Sequence, residues 1–240
     1  MKNAVERFLL IGLSAVAVCI CVCFFLQYRK AVACDSAAER TRTVVIDAGH
    51  GGEDGGAVSA AGLRESTVNL AISLRVRDLL AFCGIETRMI RETDRSVYDD
   101  GCGSVMEKKV SDLKNRVKAV NETPNAVLLS IHQNHFSEPK YHGAQVFFSA
   151  SKGSTALAEI MQDCLRVTLE PENRRMCKPA ASVYLMQHID CPGILVECWF
   201  LSNPAEAERL AAEAYQKQLS AAICGGMIRW LTAEKESHEV

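Results

Sequence analysis

From residue 43 to 231 the apolar positions switch between a period of two, or none, and a helical period, and the switches predict the order of elements. The stretch VVIDAGHGGEDGG, residues 44–56, opens on a β-branched run and breaks into glycines, which predicts a buried strand over 43–47 feeding a loop. Over 66–82, Val68, Ile72, Val76 and Leu79 recur at helical spacing, and Gly84 stands where a helix should stop. Residues 85–90 read as a second strand, 91–105 as a polar loop, and 107–121 as a helix with Val110, Leu113, Val117 and Val120 on one face. A third strand is expected over 126–131, running into SIHQN, a fourth over 143–149, and an amphipathic helix over 154–169. Then come a charged loop at 171–179, a short extended piece at 182–186, a buried strand at 194–197 and a closing helix over about 215–231.

Strands that alternate with helices in this way predict an α/β fold with a mostly parallel sheet flanked by helices. The chain has 240 residues, 48% of them apolar, enough to bury one substantial core. Neither an internal repeat nor a low-complexity segment marks a second folded domain. A net charge of −2 and aromatics not interleaved with Lys or Arg set nucleic acid aside as a partner.

Before this domain the pattern changes in kind. Residues 8–26, FLLIGLSAVAVCICVCFFL, carry no charge, and at about 1.5 Å per residue their length matches a bilayer core of roughly 30 Å. Lys2 and Arg7 precede the run and Arg29 and Lys30 follow it, so flanking charge does not set its orientation. AVAC, at 31–34, has the loose form of a cleavage or lipid-attachment site, but it follows two charges instead of the apolar run. The expectation is an uncleaved membrane anchor over 1–30, a tether over 31–42 and a folded domain over 43–235 on the extracytoplasmic side. Of 11 cysteines, Cys19, Cys21 and Cys23 fall in the apolar run, and the rest are scattered without a CxxC pair. A structural zinc knot has no support, and disulfide pairing stays open.

Three predicted strands end in a group able to bind a metal or move a proton: IDAGH in His50, LLSIH in His132 and ILVE in Glu197. Glu65, in RESTVNL, stands just before a helix whose positive end favours its ionised form. The carboxyl ends of parallel strands share one edge, so these groups can converge although far apart in sequence. Two imidazoles and one carboxylate leave a fourth zinc position open, and a remaining glutamate can serve as general base. Each component is weak alone, because a histidine at a strand end is commonly a hydrogen-bonded loop residue and an acid at a helix start a cap. The glycines match neither nucleotide-loop spacing, and there is no HExxH.

DAGHGGEDGGA, the acid of RESTVNL, SIHQN and ILVECWFLSNP resemble, in order and spacing, the motifs of zinc-dependent N-acetylmuramoyl-L-alanine amidases of the Amidase_3 family, over nearly all of 43–231. The resemblance implies zinc on His50, Glu65 and His132, and a catalytic role for Glu197. It implies peptidoglycan as substrate, cut at the amide between N-acetylmuramic acid and the L-alanine that starts the stem peptide. A short chain with one N-terminal span and no wall-binding repeats is most similar to the germination-specific members, which act in the spore cortex on the way to muramic-δ-lactam. A general autolysin and an inactive peptidoglycan-binding protein are the competing readings, and the intact His50, Glu65, His132 and Glu197 argue against the second. A protein partner is left open. Asn134 is a candidate to support His132 from behind, or a turn residue. Two positions depart from the family's pattern: Trp199, where a glycine is common, and His135, where a small residue is. His142 and His188 are read as structural.

Overall fold

The computed structural model describes residues 20–24 and 41–238. Residues 20–24 are helical and exposed; the rest of the apolar run at 8–26, expected to cross a membrane, lies outside the described residues. Among the described residues no helix is long and apolar enough to cross a membrane.

From Arg42 onward the chain forms one unit built on six strands. They are β1 (Thr43–Ala48), β2 (Thr87–Met89), β3 (Ala126–Asn134), β4 (Gln145–Phe148), β5 (Lys178–Pro179) and β6 (Gly193–Phe200), in the spatial order β2-β1-β3-β6-β4-β5. β1 is parallel to β2 and β3, and β3 is parallel to β6. β4 reverses against β6 and then runs parallel to β5, so the sheet is mixed, with its parallel core in β1, β3 and β6.

Helices cover both faces: α1 (Glu65–Phe82), α2 (Val105–Asn121), α3 (Ser154–Leu169), α4 (Tyr184–His188), α5 (Pro204–Ala211) and α6 (Glu213–His238). One face of the sheet, with Ile46, Leu129, Ile131 and Val196, packs against Ile72 and Val76 of α1, Met161 of α3 and Ile223 of α6. On the other face Val45, Leu128 and Leu195 meet Val120 of α2 and Leu185 and Met186 of α4. Burial on both faces explains why the central strands read as continuous apolar runs.

α1 ends as its sequence predicts. Gly84, at φ +74°, lets its N–H reach Ala81 O at 2.9 Å while Ile85 N–H reaches Leu80 O at 3.0 Å, a paired closure that needs a left-handed residue. The buried stripe of α1 runs through Leu80 rather than the expected Leu79, which is 36% exposed. α2 starts earlier than expected, because Ser104 and Glu107 form a reciprocal cap: Ser104 Oγ accepts Glu107 N–H at 3.2 Å and Glu107 Oε2 accepts Ser104 N–H at 2.9 Å.

Two expectations are corrected, and one helix has no counterpart among the expected elements. The second strand is only Thr87–Met89, an edge strand in register with Val44–Ile46 of β1. The piece at 182–186 is not extended: Tyr184–His188 is a helical turn, with His188 stacked on Tyr184 at 3.9 Å and Leu185 and Met186 buried beneath. α5 was not anticipated at all, although Asn203 caps it by accepting Ala205 N–H and Glu206 N–H at 3.0 and 3.2 Å, and Pro204 opens it.

Candidate active site

β1, β3 and β6 deliver their carboxyl ends to one edge, where a cleft of about 500 Å³ opens, with His50, His132 and Glu197 among its lining. His50 leaves β1 at φ +61°, a left-handed conformation that costs a non-glycine residue on the order of 1–3 kcal/mol unless its surroundings enforce it. Two arginines enforce it. Arg91, 1% exposed, donates to Ala48 O at 2.8 Å and to Gly49 O at 3.0 Å, and Arg116 donates to His50 O at 2.8 Å. Three successive carbonyls at the end of β1 are thereby fixed.

Glu65, from the first turn of α1, is the hub of the cluster. Its Oε1 lies 3.0 Å from His132 Nδ1 and 3.3 Å from His50 Nε2, and it also accepts Gln133 N–H at 3.1 Å. Its Oε2 accepts Ala57 N–H at 2.9 Å. Burial alone would raise the Glu65 carboxyl, but the bonds from His132 and His50 outweigh it and hold the group well below the usual carboxylate range. One atom from each of His50, Glu65 and His132 lies within 4.8 Å of the others. Gly49 makes this packing feasible, because a Cβ there would overlap the His132 ring.

Around the hub sits a layer that sequence reasoning missed. Asp54 Oδ2 stands 3.0 Å from His50 Nδ1. Asn69, one helical turn beyond Glu65, donates to Glu65 Oε1 at 3.3 Å and to Gly49 O at 3.2 Å, and accepts from Gln133 Nε2 at 3.1 Å. Beneath them Asp47, 1% exposed, pairs with Arg116 and accepts from Ser130 Oγ at 2.6 Å. Burial pushes the Asp47 carboxyl up, and the Arg116 charge and these bonds more than reverse the push. Asn69 had a readable signal, since a residue four after Glu65 on a helix shares its face. The buried arginines had none.

Glu197 pairs in register with His132 across β3 and β6. Its Oε2 is buried without a hydrogen-bond partner among the described residues, and burial lifts the carboxyl to about 7, the neighbouring His132 charge opposing the rise. Just beyond, the register shifts by one residue between Glu197 and Phe200. This bulge turns Trp199 into the core, 1% exposed and edge-on to Tyr215 at 5.3 Å, so its bulk stays out of the cleft.

The other sequence candidates lie apart. Asn134 accepts Leu201 N–H on its backbone carbonyl at 2.8 Å, and no hydrogen bond joins its side chain to His132. His135 is exposed. His188 bonds its own helical turn through Tyr184 O at 2.8 Å. His142, 60% exposed at its side chain, forms a second group with Glu170 and Glu206, but both Glu206 oxygens are committed to backbone, to Gly143 N–H and Phe200 N–H at 2.7 Å each. That group reads as a loop anchor.

Two imidazoles and a carboxylate from three separate elements, converging beside an orphaned glutamate oxygen, are compatible with a bound divalent cation. Fold and cluster together define an α/β domain with a His–Glu–His site at the carboxyl edge of its sheet, an arrangement suited to metal-assisted hydrolysis. Residues 44–229 match the N-acetylmuramoyl-L-alanine amidase family Amidase_3, and the chain belongs to it. It is 37% identical over 199 residues to the germination-specific N-acetylmuramoyl-L-alanine amidase of Bacillus subtilis, covering 82% of this chain and 83% of that one. Among solved structures it is similar to the CwlD amidase of Clostridioides difficile in complex with the GerS lipoprotein, with TM-score 0.77, 34% identity, and coverage of 80% of this chain and 98% of that one. An N-acetylmuramoyl-L-alanine amidase from Clostridium difficile 630 superposes with TM-score 0.71 at 27% identity, covering 80% and 98% of the two chains.

Proposed function

We propose that this amidase is zinc-dependent, that His50, Glu65 and His132 hold the ion, and that Glu197 moves the proton. The observation that carries the reading is the convergence of those three donors within 4.8 Å beside the buried, unpartnered Oε2 of Glu197. The donor set suits zinc, whose catalytic sites take nitrogen and carboxylate ligands and leave one position open. When bound, zinc supplies Lewis acidity at the scissile carbonyl and makes water acidic near neutral pH.

The chain's own residues do the rest. Asp54, as acceptor for His50 Nδ1–H, fixes the ring and leaves Nε2 turned toward Glu65 and the centre. Arg91 and Arg116 keep the His50 backbone in its left-handed turn. Glu197, raised to about 7 by burial, can hold or release a proton near neutrality. It takes one from the attacking water and returns it to the leaving alanine nitrogen, without which an amine is a poor leaving group. The net reaction consumes one water and frees the stem peptide from the lactyl carboxyl of N-acetylmuramic acid.

The 37% identity to the germination-specific amidase supports a place in spore-cortex maturation, in which stem-peptide removal precedes muramic-δ-lactam formation. The uncharged run at 8–26 supports a membrane anchor, with the amidase domain over 43–235 on the extracytoplasmic side. The lipoprotein bound to the C. difficile amidase supports a protein partner here as well. Mass spectrometry of peptidoglycan fragments incubated with the protein, with zinc and with chelator, tests the reading. Release of free stem peptide only with zinc is expected; cleavage between sugars or within the peptide would overturn it.

A further inference from the structure

Apart from the buried Glu197, the charged groups lining the cleft are paired off among the described residues with one exception. Glu53 holds Lys108, whose Nζ lies 2.9 and 3.0 Å from its two oxygens and 5.2 Å from the Tyr98 ring centroid. Asp54 faces His50, and Arg116 takes both Asp47 and Asp112. Lys109, the next residue on α2, lines the same cleft and is exposed, with no hydrogen bond or ion pair among the described residues.

Resting on the amidase reading, we propose that Lys109 is a specificity-determining residue that receives a free carboxylate of the stem peptide, close to the scissile alanyl bond. The glycan offers no such group: its sugars are N-acetylated and neutral, and the lactyl carboxyl is consumed in the amide to be cut. The anionic groups of the substrate lie on the peptide side, so an unmatched ammonium on the cleft wall sorts substrates by peptide charge. Lys108 cannot take this role without leaving Glu53 and Tyr98. Arg116, with a side chain only 4% exposed, is committed below the cleft floor. The buried Asp47 does not cancel the attraction, because it is turned onto Arg116 and Ser130.

The test compares two soluble muramoyl peptides that differ at one group, the α-carboxylate of the residue after L-alanine, left free in one and converted to the carboxamide in the other. Both meet the same zinc-loaded full-length protein. Any effect of Lys109 on Asp54 and His50 acts on both substrates alike and drops out of the ratio. The wild type should favour the acid by about tenfold in kcat/KM, mostly through KM, as one charge-assisted hydrogen bond at an exposed site would give. Lys109→Met should abolish the preference, Lys109→Glu should reverse it, and Lys109→Arg should keep most of it. The preference should also shrink as salt is raised. Equal cleavage of both substrates by the wild type, or a preference that survives Lys109→Met, overturns the proposal and leaves the amidase reading standing. Cleavage of neither substrate overturns the amidase reading and the proposal with it.

Discussion

Asp54 Oδ2 lies 3.0 Å from His50 Nδ1, and this contact decides which face of the imidazole is turned to Glu65. A carboxylate on the far nitrogen fixes a metal-binding histidine's tautomer and strengthens its donor atom, typically worth 10- to 100-fold in metal affinity. Asp54→Ala should therefore lower zinc affinity by about that range. The Asp54 side chain is 47% exposed, so folding should survive. Competition against a chromophoric chelator measures the effect, and unchanged affinity would remove Asp54 from the account.

Gly49 tests the packing of the cluster. A methyl group there would overlap the His132 ring, and neither β1 nor β3 can yield, because both are central strands. Gly49→Ala should cost about 1–3 kcal/mol of stability, the usual penalty of overpacking, and should displace His132 enough to weaken zinc binding. Gly225→Ala is the comparison, since nothing lies within 4 Å of a Cβ at that position in α6. It should leave zinc binding intact and, as a glycine-to-alanine change at an exposed helix position, raise stability by about 0.5–1 kcal/mol instead of lowering it. Denaturant melts and zinc titration of the two variants check the contrast.

What the sequence made legible follows from what a strand end can signal. His50, His132 and Glu197 were readable because each closes an apolar run, and parallel β1, β3 and β6 bring such ends to one edge. The layer behind them was not. Arg91 falls in a polar loop and is buried only through the carbonyls of Ala48, Gly49, Ser66 and Thr93, an environment made by four separate contacts in space. Gln133 rather than Asn134 joins the network, because β3 alternates its faces and the neighbouring register shift is invisible to pattern reading. α4 has five residues, too few for a helical period to be distinguished from an extended run.

Acidity gives the metal-free protein a definite pH dependence. Burial opposes charge on His50, but the bonds to Asp54 and Glu65 outweigh it and raise the group from 6.5 to about 9. A folded-state value above the unfolded one means that the folded chain binds the extra proton. That stabilisation is complete below about pH 6.5 and is lost as pH rises through about 9. Glu206, lifted from 4.5 to about 7 by burial against its backbone hydrogen bonds, acts in the same direction over a lower window. Unfolding free energy of the zinc-free chain should fall from pH 5 to pH 9. Zinc competes with the proton on His50, so zinc affinity should rise over the range in which stability falls. Urea unfolding and zinc titration at pH 5, 7 and 9 check both slopes, and a zinc-free chain that grows more stable toward pH 9 would contradict them.

The anchor is tested by mass. If the run at 8–26 stays in place, protein from the native host's membrane fraction should carry its full N-terminus. An N-terminus near Ala31 or Cys34 would show processing instead.

Metal binding and proton transfer fall to two different glutamates, Glu65 and Glu197. Glu197→Gln keeps the size of the side chain and removes its titrating proton, so zinc content should persist at one per chain while amide cleavage falls by on the order of 10²–10⁴-fold, the usual worth of a positioned acid and base. Glu65→Ala removes the hub that both histidines face, so zinc and activity should be lost together. Paired elemental zinc analysis and amide-cleavage assays on these two variants are the decisive measurement. Loss of zinc from Glu197→Gln with retention in Glu65→Ala would contradict the assignment and exchange the two roles.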